Sequence, residues 1–320
     1  MTVEVSVVIP TRGRSGADGL LRGTLDALAA QRFDPARMEV LVAADGGDPE
    51  TLALVAGLAP GFPCRLEALP LPHRGQGVAR NAGIERACGR IVLMLDDDIS
   101  GAPDLVAAHA AGHEGREDTV VTGALPVERL EDEPAHVAAT RIWWDGVLRD
   151  LASPAHRPTF RDFVTGNVSA PRAALLRSGG FDPDFFGYGR EDYELGYRLL
   201  RSGLRFVHEP RAAGLHRYRK PVLEWLRQWR GTGRADVLFA RKHPEIAGEI
   251  MTLSPFRRVP WDEIAVAAAE RTVAALDRRG GRIWEAAAGL AQSSWYWRGL
   301  REEARDRTEI ERLVRSRDAA

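Results

Sequence analysis

Residues 91–100 read IVLMLDDDIS, five apolar residues running directly into three aspartates. A short apolar run of this length fits a strand covered on both faces. Its charge begins where the strand should end. Working outward, VEVSVVIP (3–10), MEVLVAA (38–44) and CRLEALPL (64–71) are three further strand candidates. LLRGTLDALAAQ (20–31) reads as helix, and GQGVARNAGIERACG (75–89) carries small and apolar residues at helical spacing, with Gly89 as its C-terminal stop. The alternation of strand and helix predicts an α/β fold, a mostly parallel sheet flanked by helices, whose ligands bind beyond the carboxyl ends of the strands. Three of those ends are polar, at Thr11 to Arg14, Asp45 to Asp48 and Asp96 to Asp98, and they should converge on one edge.

On an extended strand end, residues i and i+2 point to the same side, so Asp96 and Asp98 can face one ligand while Asp97 faces elsewhere. Neighbouring carboxylates repel unless a cation lies between them, and a hard divalent ion with open positions also takes phosphate oxygens. A solvated turn or a helix cap is the plainer reading. Further on, GGFDPDFFGYGREDYELGYRLLRSG (179–203) sets glycines and aromatics before Glu191 and Asp192, at the start of an amphipathic helix backed by Leu195, Leu199 and Leu200. Acids in a first helical turn are favoured by the helix dipole, and they can equally serve as a proton acceptor and its helper. Sequence order does not choose between the two.

Composition narrows the classes. The 320 residues carry 44 basic and 45 acidic side chains, a formal net charge of −1, so no global field recruits nucleic acid or an anionic surface. Cys64 and Cys88 form no CxxC and no metal spacing, which fits a reducing compartment. No run approaches a spanning helix and the start has no leader pattern, so a cytoplasmic protein without integral membrane association is expected. The Ala/Arg/Gly-rich composition suggests a high-GC bacterial source. His109 and His113 have the i, i+4 spacing of a helical metal pair but lack the intervening Glu, and are expected at the surface. RGTGRADVLFARKH (230–243) reads as a solvated basic helix face with Leu238 and Phe239 turned inward, or alternatively as a phosphate contact or lid. Most of the tryptophans should pack between helices, with Trp143 and Trp144 bordering a cleft.

Taken in order, VSVVIPTRGR (5–14), GVARNAGI (77–84), LDDD (95–98) and GREDYELGYRLLRSG (189–203) resemble the opening strand and nucleotide loop, the ARNxG helix, the DxD motif and the ED-containing acceptor helix of family 2 inverting glycosyltransferases of the GT-A fold. Residues 179–195 also resemble the acceptor segment of galactosyl- and N-acetylgalactosaminyltransferases. The resemblance covers roughly residues 3–245. It implies a Rossmann-like GT-A domain with a nucleotide-sugar half (1–100), an acceptor half (101–220) and a helical C-terminal region (221–320). It further implies that Pro10, Thr11, Arg12, Arg14, Asp45, Arg80, Asp96, Asp97, Arg217 and Arg219 meet the nucleotide sugar, and that Glu191, Tyr188 and Gly189 border the acceptor, whose cleft is the one Trp143 and Trp144 are expected to border. Asp192 would be the catalytic base, and Asp98 with His216 would hold Mn²⁺ or Mg²⁺. The family's paired acids after the second strand are here VAADGGD (42–48), with Ala44 in the first place. The implied partners are a nucleoside diphosphate sugar, most readily a UDP-sugar, and a small-molecule, carrier-bound or peptide acceptor; the C-terminal helices could dimerise. A nucleotidyltransferase or a non-catalytic nucleotide-sugar-binding relative are the alternatives.

Overall fold

The computed structural model describes residues 2–13, 19–187, 189–252 and 263–319. Arg14, Tyr188 and Trp261 lie outside the described residues. In chain order the elements begin β1 (Val5–Thr11), α1 (Leu20–Ala29), β2 (Met38–Asp45), α2 (Pro49–Leu58), β3 (Arg65–Leu71), α3 (Gln76–Arg86), β4 (Ile91–Leu95) and β5 (Ile99–Gly101). They continue with α4 (Leu105–Gly112), β6 (Thr119–Ala124), α5 (Ala135–Leu151), β7 (Asn167–Pro171), α6 (Arg172–Arg177), α7 (Glu191–Arg201) and β8 (Arg205–His216). Among the described residues five α-helices follow: α8 (Val222–Lys242), α9 (Ala247–Thr252), α10 (Glu263–Leu276), α11 (Arg282–Glu303) and α12 (Arg307–Ala319). The chain divides into two compact units, residues 1–128, 141–186 and 191–218 in the first, and 129–140, 187–190 and 219–320 in the second.

The first unit is built on an eight-stranded sheet in the order β3-β2-β1-β4-β7-β6-β8-β5. β1 to β4 are mutually parallel where they pair, so the polar ends of β1, β2 and β4 share one edge. Both faces are covered. Val5, Val7, Ile9, Val40, Val42, Ile91, Leu93 and Leu95 enter one core cluster, while Val8, Leu41, Val92 and Met94 enter the other. Alternation between two dry faces explains why these strands read as continuous apolar runs. At the opposite end of the sheet, buried Glu39 accepts from Ser6 Oγ, from Cys88 N at 2.6 Å and from Arg65 at 2.7 Å. Both cysteines are free thiols, and burial with the nearby Glu39 pushes the Cys64 pKa up to about 11, which disfavours its thiolate.

Two details of the sequence reading change. Helix α3 ends at Arg86, and Gly89 serves close packing instead: a Cβ there would lie 2.7 Å from Ser6 N and 2.8 Å from Glu4 O. His109 and His113 are not surface residues but 0% and 1% exposed. Their rings meet β7, His109 lying 2.8 Å from Ser169 Oγ and 2.9 Å from Asn167 Oδ1, and His113 lying 2.8 Å from the same Ser169 oxygen. Burial lowers the His109 pKa to about 4; burial, with His109 and Arg90 nearby, lowers that of His113 to about 3.

β8 has an internal break. Arg205–Glu209 runs parallel to β6, the register then jumps so that Ala124 pairs Ala213, and Gly214–His216 runs antiparallel to β5. Pro210 lies in the jump; proline has no N–H for a ladder bond, which favours a bulge there.

In the second unit, α8 and α11 cross where glycines allow it. A Cβ on Gly233 would sit 2.1 Å from Tyr296 O, and one on Gly299 would sit 2.0 Å from Arg230 O. Trp225 and Trp284 stack with centroids 5.8 Å apart, and Phe239 is fully buried while Leu238 is half-buried. The basic residues of α8 face acids: Arg227 meets Glu270, Arg230 meets Glu302, Arg234 meets Glu303, and Arg241 meets Glu303 and Glu309. The helix face is thus an ion-pair network, not a bare phosphate-binding stripe.

Candidate active site

Beyond the shared strand edge, the site residues of the first unit fall into three groups. The first surrounds Asp45, whose side chain is 2% exposed. One oxygen accepts from Arg74 N at 2.7 Å, the other lies 2.8 Å from His73 Nδ1, and Gly75 N reaches both at 3.1 and 3.3 Å. These contacts fill the carboxylate's acceptor positions, so Asp45 organises the loop after β3. His73 in turn lies 3.3 Å from the exposed Arg12 guanidinium, and its ring centroid is 5.8 Å from that of Phe186. His73 escaped the sequence reading, which weighed the ends of the first, second and fourth strands and passed over the third. Pro10 pairs with Ala43 inside the sheet, and Thr11, 2% exposed, accepts a hydrogen bond from Gly13 N at 3.3 Å.

The second group is centred on Arg80. Its side chain is 1% exposed; one terminal nitrogen donates to Asp96 at 2.8 Å and the other to Glu191 at 3.3 Å. Burial by itself would lower its pKa, but the carboxylates of Asp96 and Glu191, with Asp192 near, outweigh that and hold the cation above its ordinary value. Arg80, expected on the nucleotide side of a cleft, is a buried guanidinium that ties the end of β4 to the start of α7. Glu191, expected to border the acceptor, is buried against it. The next residue extends the tie, because Asn81 accepts from Phe181 N at 2.8 Å and donates to Phe181 O at 2.7 Å. Helix α7 is further fixed by Arg198, which pairs with Glu194 at 2.7 Å and donates to Gly180 O at 2.6 Å. Leu195 and Leu199, fully buried, supply its apolar face, with Leu200 packed beside them. Asp192, half-buried, accepts from Tyr193 N at 2.8 Å.

The third group joins Asp98 to His216. The strand stops at Leu95, and a turn closed by Ile99 N donating to Asp96 O at 3.3 Å carries the three aspartates. The strand pleat therefore does not set their directions: Asp96 turns to Arg80, the Asp97 carbonyl accepts from Thr24 Oγ1 at 2.9 Å, and Asp98 turns to β8. His216, opposite Ile99 in the β5–β8 ladder, brings Nε2 to 3.2 Å from Asp98 Oδ2. The other oxygen, Asp98 Oδ1, is buried with no hydrogen-bond partner among the described residues. A buried orphan carboxylate oxygen beside an imidazole suits a cation. Among the described residues, no three His, Cys, Asp or Glu side chains form a complete metal cage, so this pair offers a partial ligand set with room for ligand oxygens. Arg217 N donates to Asp98 O at 2.9 Å, and its guanidinium lies against α1 at Gly23.

The remaining candidates are scattered. Trp143 is 54% exposed and meets Trp144 edge-on at 5.0 Å, while Trp144 leans on the first core cluster. Gly189 and Arg219 belong to the second unit.

A curled, mostly parallel sheet with helices on both faces and an acidic turn after its fourth strand defines the GT-A glycosyltransferase class of fold. The family model described as glycosyl transferase family 2 matches residues 6–177, more than half of the chain, and the chain belongs to that family. A second model, described as the N-terminal domain of galactosyltransferase, matches residues 149–221. The chain is 34% identical over 224 residues to validoxylamine A glucosyltransferase of Streptomyces hygroscopicus subsp. limoneus, covering 62% of this chain and 48% of that one. It is 28% identical over 249 residues to an uncharacterized glycosyltransferase of Bacillus subtilis, covering 64% and 62%. The match thus spans about half to three-fifths of these relatives' lengths. Among solved structures, a Pyrobaculum calidifontis mannosyltransferase in complex with GDP-Man and Mn²⁺ aligns with TM-score 0.56 and 19% identity over 99% of this chain and 87% of that one. S. aureus TarS 1-349 in complex with UDP-GlcNAc aligns with TM-score 0.52 and 14% identity over 95% and 93%. At these identities the structural likeness speaks for the fold.

Proposed function

We propose that this protein transfers a sugar from a nucleoside diphosphate donor, most readily a UDP-sugar, to a hydroxyl or amine of a small-molecule, carrier-bound or peptide acceptor, with inversion at the anomeric carbon. The observation that carries the proposal is the single edge that gathers the Asp45–His73 loop, the Arg80-bound Asp96, the Asp98–His216 pair and the first turn of α7. The exposed Arg12 and His73 meet the base or ribose, in a loop whose shape Asp45 holds. Asp96, one-third exposed, faces the ribose side, and its direction is set by Arg80. Asp98 and His216 would hold Mn²⁺ or Mg²⁺, the histidine favouring Mn²⁺, and an ion bound there would neutralise charge on the leaving diphosphate. Asp192 takes the acceptor's proton as the acceptor attacks the face opposite the leaving group, and Trp143 offers an exposed ring on which an acceptor can rest.

The test is calorimetric titration with UDP, GDP, TDP and CDP, each with Mn²⁺ and with chelator, followed by assay of nucleoside diphosphate release from the matching nucleotide sugars. Metal-dependent binding of one diphosphate with release on adding an acceptor supports the transferase. Release of pyrophosphate from a nucleoside triphosphate would instead mark a nucleotidyltransferase, and binding without turnover a non-catalytic relative.

A further inference from the structure

The residue directly before Glu191 and Asp192 has no role in the reaction proposed above, yet its backbone conformation is one that residues with a side chain rarely adopt. Arg190 has φ 70°, and among the described residues it is the only one other than glycine in the left-handed region. An L-residue other than Asn or Asp seldom stays there unless something holds it. Gly187 and Gly189 just upstream are also left-handed, at φ 112° and 104°, so the approach to the helix is a succession of turns. Residues 187–190 belong to the second unit, although the chain on either side belongs to the first.

The hold on Arg190 is a buried carboxylate. Asp236, on α8, is 0% exposed; one of its oxygens accepts from Arg190 Nε at 2.6 Å, and the other from Arg190 Nη2 at 3.4 Å and from Tyr296 Oη, on α11, at 2.8 Å. The two helices that supply this pair are locked by the Gly233 and Gly299 crossings, which leave backbone against backbone. Thr232, one turn before Asp236, lies 3.2 Å from where a Cβ of Gly189 would stand, so the same helix closes over the preceding residue. A two-pronged ion pair of this kind fixes angle as well as distance.

We infer that Arg190 is a positioning residue: Asp236 and Tyr296 hold it in the left-handed conformation at the peptide from which α7, with Asp192 in its first turn, starts. It rests on Asp192 being the base.

The decisive variant is Arg190→Gly with Asp236→Asn, because glycine accepts φ 70° freely and removal of both partners leaves no unpaired buried charge. Expected are an unchanged nucleoside diphosphate affinity by calorimetry, a transfer kcat lower by on the order of 10²-fold, and faster amide exchange confined to the peptide covering residues 190–195. Arg190→Lys, which keeps the charge and loses the fork, should fall between this variant and the parent, and so should Tyr296→Phe, which removes one bond to Asp236. Unchanged kcat and unchanged exchange in the double variant would overturn the inference. So would a uniform rise in exchange with loss of diphosphate binding in both the double variant and Tyr296→Phe, which would make the cluster a general stabiliser. Faster local exchange in a protein whose parent form transfers no sugar would separate failure of the transferase reading from failure of the backbone hold.

Discussion

Asp98 is the side chain whose replacement says most. Its orphan oxygen and its contact with His216 predict that Asp98→Asn greatly weakens Mn²⁺-dependent diphosphate binding in calorimetry, whereas equal affinity with and without the change would remove it from the metal site. His216→Ala should raise the metal concentration needed for half-maximal activity. Asp192→Asn is expected to keep donor binding and to lose transfer by roughly 10²-fold or more; turnover near that of the parent would move the base elsewhere. At this scale residue type was legible and partnership was not. Arg80 stood out in ARNAG, but nothing in that string says that it is buried between Asp96 and Glu191, which are 16 and 111 positions away. His73 and Arg190 carried no periodic signal, since their importance comes from Asp45 and Asp236 across the fold.

Among the elements, β4 and the helix pair α8/α11 are most open to test. The α8–α11 crossing leaves no volume for a methyl group, so Gly233→Ala or Gly299→Ala should destabilise by about 1–3 kcal/mol, read as a lower denaturation midpoint with an unchanged denaturant slope. No change in midpoint would mean that the helices part without cost. Strands β1, β2 and β4 were readable because apolar runs of strand length with β-branched residues, set between helical patterns, have few other solutions. The basic character of α8 was equally plain, but its acidic partners lie on other helices, and so a phosphate-binding face could not be told from an ion-pair network. The strand pleat could not set the directions of the three aspartates, because the strand ends at Leu95 and a turn takes over.

For the whole molecule, His109 and His113 predict a pH dependence of stability. Both rings stay neutral in the fold until about pH 4 and about pH 3, while in the unfolded chain each takes a proton near 6.5. Between those values the unfolded chain binds more protons, so stability present above pH 6.5 is lost as the pH falls toward 4, by up to roughly 1.4 kcal/mol per pH unit for each proton. Urea unfolding followed by tryptophan fluorescence at pH 7, 6 and 5 should show the fall, with a shallower slope in His113→Gln; identical slopes would place these rings in contact with water. Among the described residues, no helix is long and apolar enough to cross a membrane.

The amino-acid sequence by itself determined the α/β order of the first hundred residues, the shared edge of the parallel strands and the acidic turn beyond β4, because each follows from local period, propensity and the right-handed crossover that joins parallel strands. Tertiary structure alone decided what those acids do. After the register jump at Pro210, β8 pairs with β5 and brings His216 to Asp98; helix α3 carries Arg80 between two carboxylates; and Asp236 and Tyr296 of the C-terminal helices grip Arg190. Each of these joins residues far apart in the chain through packing and register, quantities that exist only once the chain has closed on itself.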